Sequence, residues 1–118
     1  MRVTSDIWVH VFVRRETNRS AFATVVKRGA VEAGAIYVVE NHLDGSFSLH
    51  GPAPQSFIND EIDDRVFETV RQKISEDEVK TFLDKQQNFD PDIWVVETEC
   101  RYGPPSIDFV KNTDRSVF

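Results

Sequence analysis

Few side chains in this 118-residue chain could do chemistry, and they are scattered. The metal-ligand types are three histidines, His10, His42 and His50, and one cysteine, Cys100. Their spacing matches neither a zinc finger nor a His-Glu-x-x-His helix, so the sequence predicts no metal site and implies no cofactor. His10 falls between Trp8 and Phe12 and is read as a hydrogen-bonded core or edge histidine. His42 and His50 flank a predicted hairpin and could meet across it, although a solvated pair is the plainer reading. Cys100 has no Gly-x-Ser-x-Gly or Cys/His signature around it, so no catalytic residue is assigned. A glycine-rich phosphate loop is absent as well, which disfavours a standard nucleotide site.

Three constellations remain as candidate binding residues. Asp90-Pro91-Asp92 places two carboxylates on a rigid turn that could hold a cation or exchange protons, or could simply satisfy backbone donors between a helix and a strand. Arg14, Arg15, Arg19, Lys27 and Arg28 form the one basic cluster, read either as a solvated face or as an anion site. Gly51-Pro52-Ala53-Pro54-Gln55-Ser56 is a proline-stiffened loop that could present Gln55 and Ser56 with little ordering cost, or serve as a connector.

The elements that must position these groups follow from periodicity. Residues 6–13 are β-branched and aromatic with both alternating faces largely apolar, which predicts an interior strand. Phe22, Val25, Val26, Gly29, Ala30 and Ala33 recur at three- and four-residue spacing, which predicts a helix capped by Thr17 or Asn18 and ended at Gly34. Residues 35–39 and 46–50 read as strands joined by a turn at Asp44-Gly45, and 66–71 reads as a further strand that could instead begin a helix. Ser75 followed by Glu78 matches a capping box, and that second helix should stop before Pro91. Residues 92–99 give the last strand.

The predicted class is α+β, one domain with a mostly antiparallel sheet of four or five strands and two helices, in the order β-α-β-β-(β)-α-β. The domain spans residues 1–102, and residues 103–118 form a tail, expected to dock because it carries Ile107, Phe109, Val110, Val117 and Phe118 after a Gly-Pro-Pro break. Asp-Ile-Trp-Val occurs at 6–9 and again at 92–95. Two neighbouring core strands explain it, and a duplicated half-domain is the alternative.

Composition sets the remaining bounds. One cysteine allows no intrachain disulfide, and no apolar run approaches the roughly 18 residues of a membrane span. A cytoplasmic location and no membrane association are expected. Net charge is −6, with six Lys/Arg against five Asp/Glu in residues 1–59 and eight against fifteen in residues 60–118. That acidity disfavours nucleic-acid binding, which needs a basic footprint.

Five segments, Ser5-Asp6-Ile7-Trp8-Val9, Glu32-Ala33-Gly34-Ala35-Ile36, Leu43-Asp44-Gly45, Gly51-Pro52-Ala53-Pro54-Gln55-Ser56 and Phe89 to Glu97, together resemble a bacterial family of uncharacterised proteins, domain of unknown function 1491. The resemblance runs from about Arg2 to Arg101. It implies a bacterial, single-domain, cytosolic protein and supplies no mechanism. With no catalytic signature, the functional expectation is a non-catalytic domain that binds a protein partner or a second copy of itself. The alternative is a small-ligand binder or small enzyme using Arg14, Gln55, Asp90 and Asp92 in a polar cleft.

Overall fold

Backbone hydrogen bonding divides the computed structural model, which describes residues 3–54 and 65–110, into two helices and six strands. These are α1 (Ser5–Asn18), β1 (Ala23–Lys27), β2 (Ile36–Asn41), β3 (Phe47–Pro52), β4 (Val66–Ile74), α2 (Glu76–Phe89), β5 (Trp94–Glu99) and β6 (Asp108–Phe109). The strands form one sheet in the order β1-β5-β2-β3-β4-β6. The α+β class agrees with expectation. The sheet, however, is mixed and six-stranded, because β2 runs parallel to β5 and β4 parallel to β6 while the other three pairings are antiparallel.

Two elements exchange type relative to the sequence reading. Residues 5–18 are a helix, with Ser5, Val9, Phe12 and Glu16 buried at spacings of four, three and four. Ile7 and Val11, exposed on the outer side, make both alternating faces apolar and so imitate an interior strand. The helix start is set by tertiary structure: Thr4 caps no backbone donor with its side chain, and the N–H groups of Ser5 and Asp6 donate to Glu32 O and Val31 O. His10 is accordingly exposed rather than in the core.

Conversely, the predicted helix at 17–33 is the end of α1, strand β1 and a turn. The β-branched run Thr24-Val25-Val26 outweighs the fortuitous helical spacing. Gly29 and Gly34 are needed for close approach, since a Cβ on either would lie 2.1 or 2.4 Å from Asp92 O. Gly34 therefore ends no helix.

The two Asp-Ile-Trp-Val segments consequently differ, one lying in α1 and the other entering β5, which removes the duplicated half-domain. Trp94 is 1% exposed and its indole N–H donates to Ala30 O at 2.7 Å. Trp8 is half-buried and stacks on Phe12 with ring centroids 5.2 Å apart.

Elsewhere local chemistry and structure agree. Glu78 N–H donates to Ser75 Oγ at 3.2 Å and Ser75 N–H to Glu78 Oε1 at 3.1 Å, completing the capping box of α2. Gly45 has φ +88° in the β2–β3 turn, where Asp44 Oδ1 accepts from Ser46 N–H at 2.9 Å.

One helix covers each face of the sheet. Val9, Phe12, Ile36, Val38, Phe67, Trp94 and Val96 form the core under α1. Val39, Leu49, Val79, Leu83, Ile93 and Val95 form the core under α2. Beyond β5 the chain returns over the α1 face, where Ile107 packs on the first core, the Phe109 ring meets His50 edge-on and Val110 N–H donates to Phe67 O at 2.9 Å. Val117 and Phe118 lie outside the described residues. No helix among the described residues is long and apolar enough to cross a membrane.

Candidate functional site

Parallel pairing of β2 with β5 sets Asn41 opposite Glu99, so the residues leaving the two strands emerge side by side. His42 and Cys100 are those residues, and Cys100 N–H donates to Asn41 O at 3.0 Å. Cys100 Sγ thereby lies 3.5 Å from His42 Nδ1. Glu40, two residues earlier in β2, points to the same side, with Oε2 3.9 Å from His42 Nδ1. The ligand atoms of Glu40, His42 and Cys100 all fall within 4.8 Å of one another.

A second set of side chains fixes this group from behind. His50 Nε2 is 2.9 Å from Glu40 Oε1, and its Nδ1 is 3.0 Å from Thr69 Oγ1. His42 Nε2 is 2.7 Å from Ser48 Oγ, which also accepts Lys73 N–H at 3.2 Å. Lys73 has φ +56°, and the β3–β4 register shifts beside it, so an irregular strand supplies that donor. The two histidines are thus bridged by the Glu40 carboxylate and largely buried, with side chains 14% and 5% exposed, not a solvated pair. The hydrogen bond with His50 lowers the Glu40 pKa from its ordinary value against the opposing effect of burial, and positive charge at His50, His42 and Lys73 acts in the same direction. Burial raises the Cys100 pKa, with the Glu40 charge adding to it.

The same sheet face carries another buried carboxylate, Glu16 of α1. Thr98 Oγ1 donates to its Oε1 at 2.6 Å, Ser106 Oγ and N–H donate to Oε2 at 2.6 and 3.1 Å, and Arg19 Nε approaches Oε2 at 3.2 Å. Arg19 also donates to Pro104 O at 2.6 Å and Arg15 to Ser106 O at 3.1 Å. This cluster ties the segment after β5 to α1.

The candidate residues named from sequence are therefore dispersed. Arg15 belongs to that clamp. Arg14 and Arg28 come together along an open groove of about 660 Å³ between α1 and β1, also lined by His10, Val13, Val25 and Trp94. The Arg28 guanidinium sits 5.3 Å from the centre of the Trp94 ring. Lys27 is turned inward, donating to Pro91 O and Ile93 O at 2.8 and 2.9 Å. Asp90 and Asp92 occupy the α2–β5 turn, where Asp90 Oδ1 accepts Asp92 N–H at 3.0 Å, and neither lines the arginine groove. Gln55 and Ser56 lie outside the described residues. The Glu40 group escaped the sequence reading because Cys100 reaches it only through the parallel strand pairing. The Glu-x-His step at 40–42 was the one local signal.

Fold and site define a small α+β domain with a helix on each face of a mixed sheet and an acid, imidazole and thiol gathered where its central parallel strands end. The chain belongs to a family described as protein of unknown function, DUF1491, whose model matches residues 3–108. It is similar to protein Atu0922 from A. tumefaciens, solved in solution, at 38% identity and a TM-score of 0.82 over 95% of this chain and 98% of that one. It also resembles a DUF1491 family protein from Caulobacter crescentus CB15, at 29% identity. The crystal structure of that protein gives a TM-score of 0.74 over 92% of this chain and 99% of that one. Its NMR structure gives 0.73 over 94% and 99%. No curated protein matches the chain.

Proposed function

We propose that this protein is a non-catalytic interaction domain whose binding surface is the outer edge of β1 with the adjoining α1–β1 groove. Its partner is an acidic, extended segment of another protein. The observation that carries the reading is the edge itself. Strand β1 ends the sheet, pairs only with β5 among the described residues, and so leaves one side of its backbone available for strand addition. Phe22, just before the strand, and Val26, within it, are 66% and 58% exposed. Covering such side chains is worth about 1.5–3 kcal/mol each before ordering costs. Arg14 and Arg28 outweigh the one acid of the groove lining, Asp6, and favour a partner of negative charge. A raised pKa at the only thiol argues against a nucleophilic role, since the thiolate is the reactive form.

A displayed library of extended peptides, selected on the full-length protein, tests the reading. Selected peptides should be acidic with alternating apolar residues, should shift the amide resonances of 23–27, and should bind less well to the Arg14→Glu/Arg28→Glu variant. Binders that map elsewhere, or none at all, would count against it. Light scattering on the protein alone would reveal the other occupant, a second copy paired through β1.

A further inference from the structure

The geometry points to Glu40, His42 and Cys100 as a binding site for a single zinc-type divalent cation, with a fourth position left open to water. This site lies where β2 and β5 end, on residues that take no part in the β1 surface, and is independent of the reading given for that surface. Three observations carry it.

The first is the donor set. Thiolate, imidazole and carboxylate together are the ligands of a borderline-soft ion such as Zn²⁺, whereas Mg²⁺ and Ca²⁺ take oxygen. Zinc bonds of about 2.05 Å to nitrogen and 2.3 Å to sulfur, meeting at a tetrahedral angle, hold the two ligand atoms about 3.6 Å apart. Cys100 Sγ and His42 Nδ1 are 3.5 Å apart. Glu40 Oε2, at 3.9 Å from the same nitrogen, needs to close by about half an ångström to reach the roughly 3.4 Å that two such bonds span, and all three ligand atoms already fall within 4.8 Å of one another.

The second is the support behind each ligand. Metal-bound imidazole normally gives its other N–H to an acceptor, and His42 Nε2 has Ser48 Oγ at 2.7 Å while Nδ1 faces the thiol. Glu40 Oε1 is engaged by His50, itself oriented by Thr69, and among the described residues no hydrogen bond reaches Oε2. Cys100 and His42 are tied by backbone bonds, Cys100 N–H to Asn41 O at 3.0 Å and His42 N–H to Ser46 O at 3.1 Å. The ligand atoms of all three residues converge, Cys100 Sγ and His42 Nδ1 meeting only each other, among the described residues, in a hydrogen bond that the ion would replace, while their other polar atoms are already occupied.

The third is access. Glu40 is buried, but His42 and Cys100 are only partly so, leaving an approach for the ion and its water. On binding, the Cys100 S–H bond breaks, its electron pair passes to the metal–sulfur bond and one proton leaves to solvent, while Glu40 binds as the carboxylate and His42 as neutral imidazole.

Full-length protein with any tag removed is stripped with a chelator and titrated with Zn²⁺ against a chromogenic competitor, and with Co²⁺ in parallel. One ion per chain is expected, with a thiolate-to-Co²⁺ charge-transfer band in the near ultraviolet that Mg²⁺ and Ca²⁺ do not suppress. Ser48→Ala should weaken Zn²⁺ binding about 10–100-fold, as loss of a supporting hydrogen bond does elsewhere. Cys100→Ser and His42→Gln should weaken it more, and Cys100→Ser should abolish the band. Amide spectra of each metal-free variant report folding, and the near-isosteric Cys100→Ser keeps the test decisive if His42→Gln does not fold. Absence of a stoichiometric ion would overturn the proposal. So would undiminished Zn²⁺ binding by a folded Cys100→Ser protein, which would place the ion elsewhere.

Discussion

Glu16 and Glu40 are both buried carboxylates on the α1 face of one sheet, yet their surroundings differ. Both oxygens of Glu16 are engaged, by Thr98, Ser106 and Arg19. Only one oxygen of Glu40 is engaged in this way, and the other looks toward an imidazole and a thiol. The same residue type thus serves as a clamp where its donors are complete, and as one part of a ligand set where they are not. Burial alone does not separate the two. The count of satisfied lone pairs does.

Removing the clamp should cost most. Glu16→Ala leaves two hydroxyls and a guanidinium facing a void, and urea denaturation should show a loss of about 3–5 kcal/mol. A loss below about 1 kcal/mol would erase the distinction drawn between the two acids. Ser106→Ala, which removes one charge-assisted bond from the segment after β5, should cost about 1.5–3 kcal/mol by the same measurement.

Acid should act on Glu40. Its folded pKa is lowered, first by the His50 hydrogen bond, so its contribution is complete above the unfolded carboxylate value and is lost as pH falls through the folded one. Metal-free protein should therefore lose stability below the ordinary carboxylate range more steeply than Glu40→Gln does. Urea midpoints across a pH series give both slopes, and equal slopes would contradict the assignment. The smallest effect is expected at Cys100, which closes no clamp. Cys100→Ser in metal-free protein should shift stability by about 0.5 kcal/mol or less.

What the sequence disclosed divides along similar lines. Elements with signals in their own residues were legible: the Ser75–Glu78 capping box, the Asp44-Gly45 turn, and the strands at β2, β3 and β5, whereas residues 66–71 left strand and helix both open and the structure makes them part of β4. Elements decided by distant residues were not. Strand β1 and helix α1 were exchanged because the apolar residues of α1 lie on both sides of the helix and its first donors are met by the carbonyls of Val31 and Glu32. Asp-Ile-Trp-Val in both a helix and a strand makes the same point, since four residues carry too little information to choose. The candidate site needed still more distant information. Glu40 and His42 gave no warning of Cys100, because only the β2–β5 register joins them, and Arg14 and Asp92 gave no warning that they would lie apart.

The contrast between the two acids can be read in one experiment. Carbon-13 spectra of the glutamate side-chain carboxyls, recorded on metal-free full-length protein before and after one equivalent of Zn²⁺, report both groups at once. The account predicts that the Glu40 resonance moves, together with the His42 ring nitrogens, while the Glu16 resonance stays where it was. An unmoved Glu40, or a Glu16 that moves with it, would contradict it.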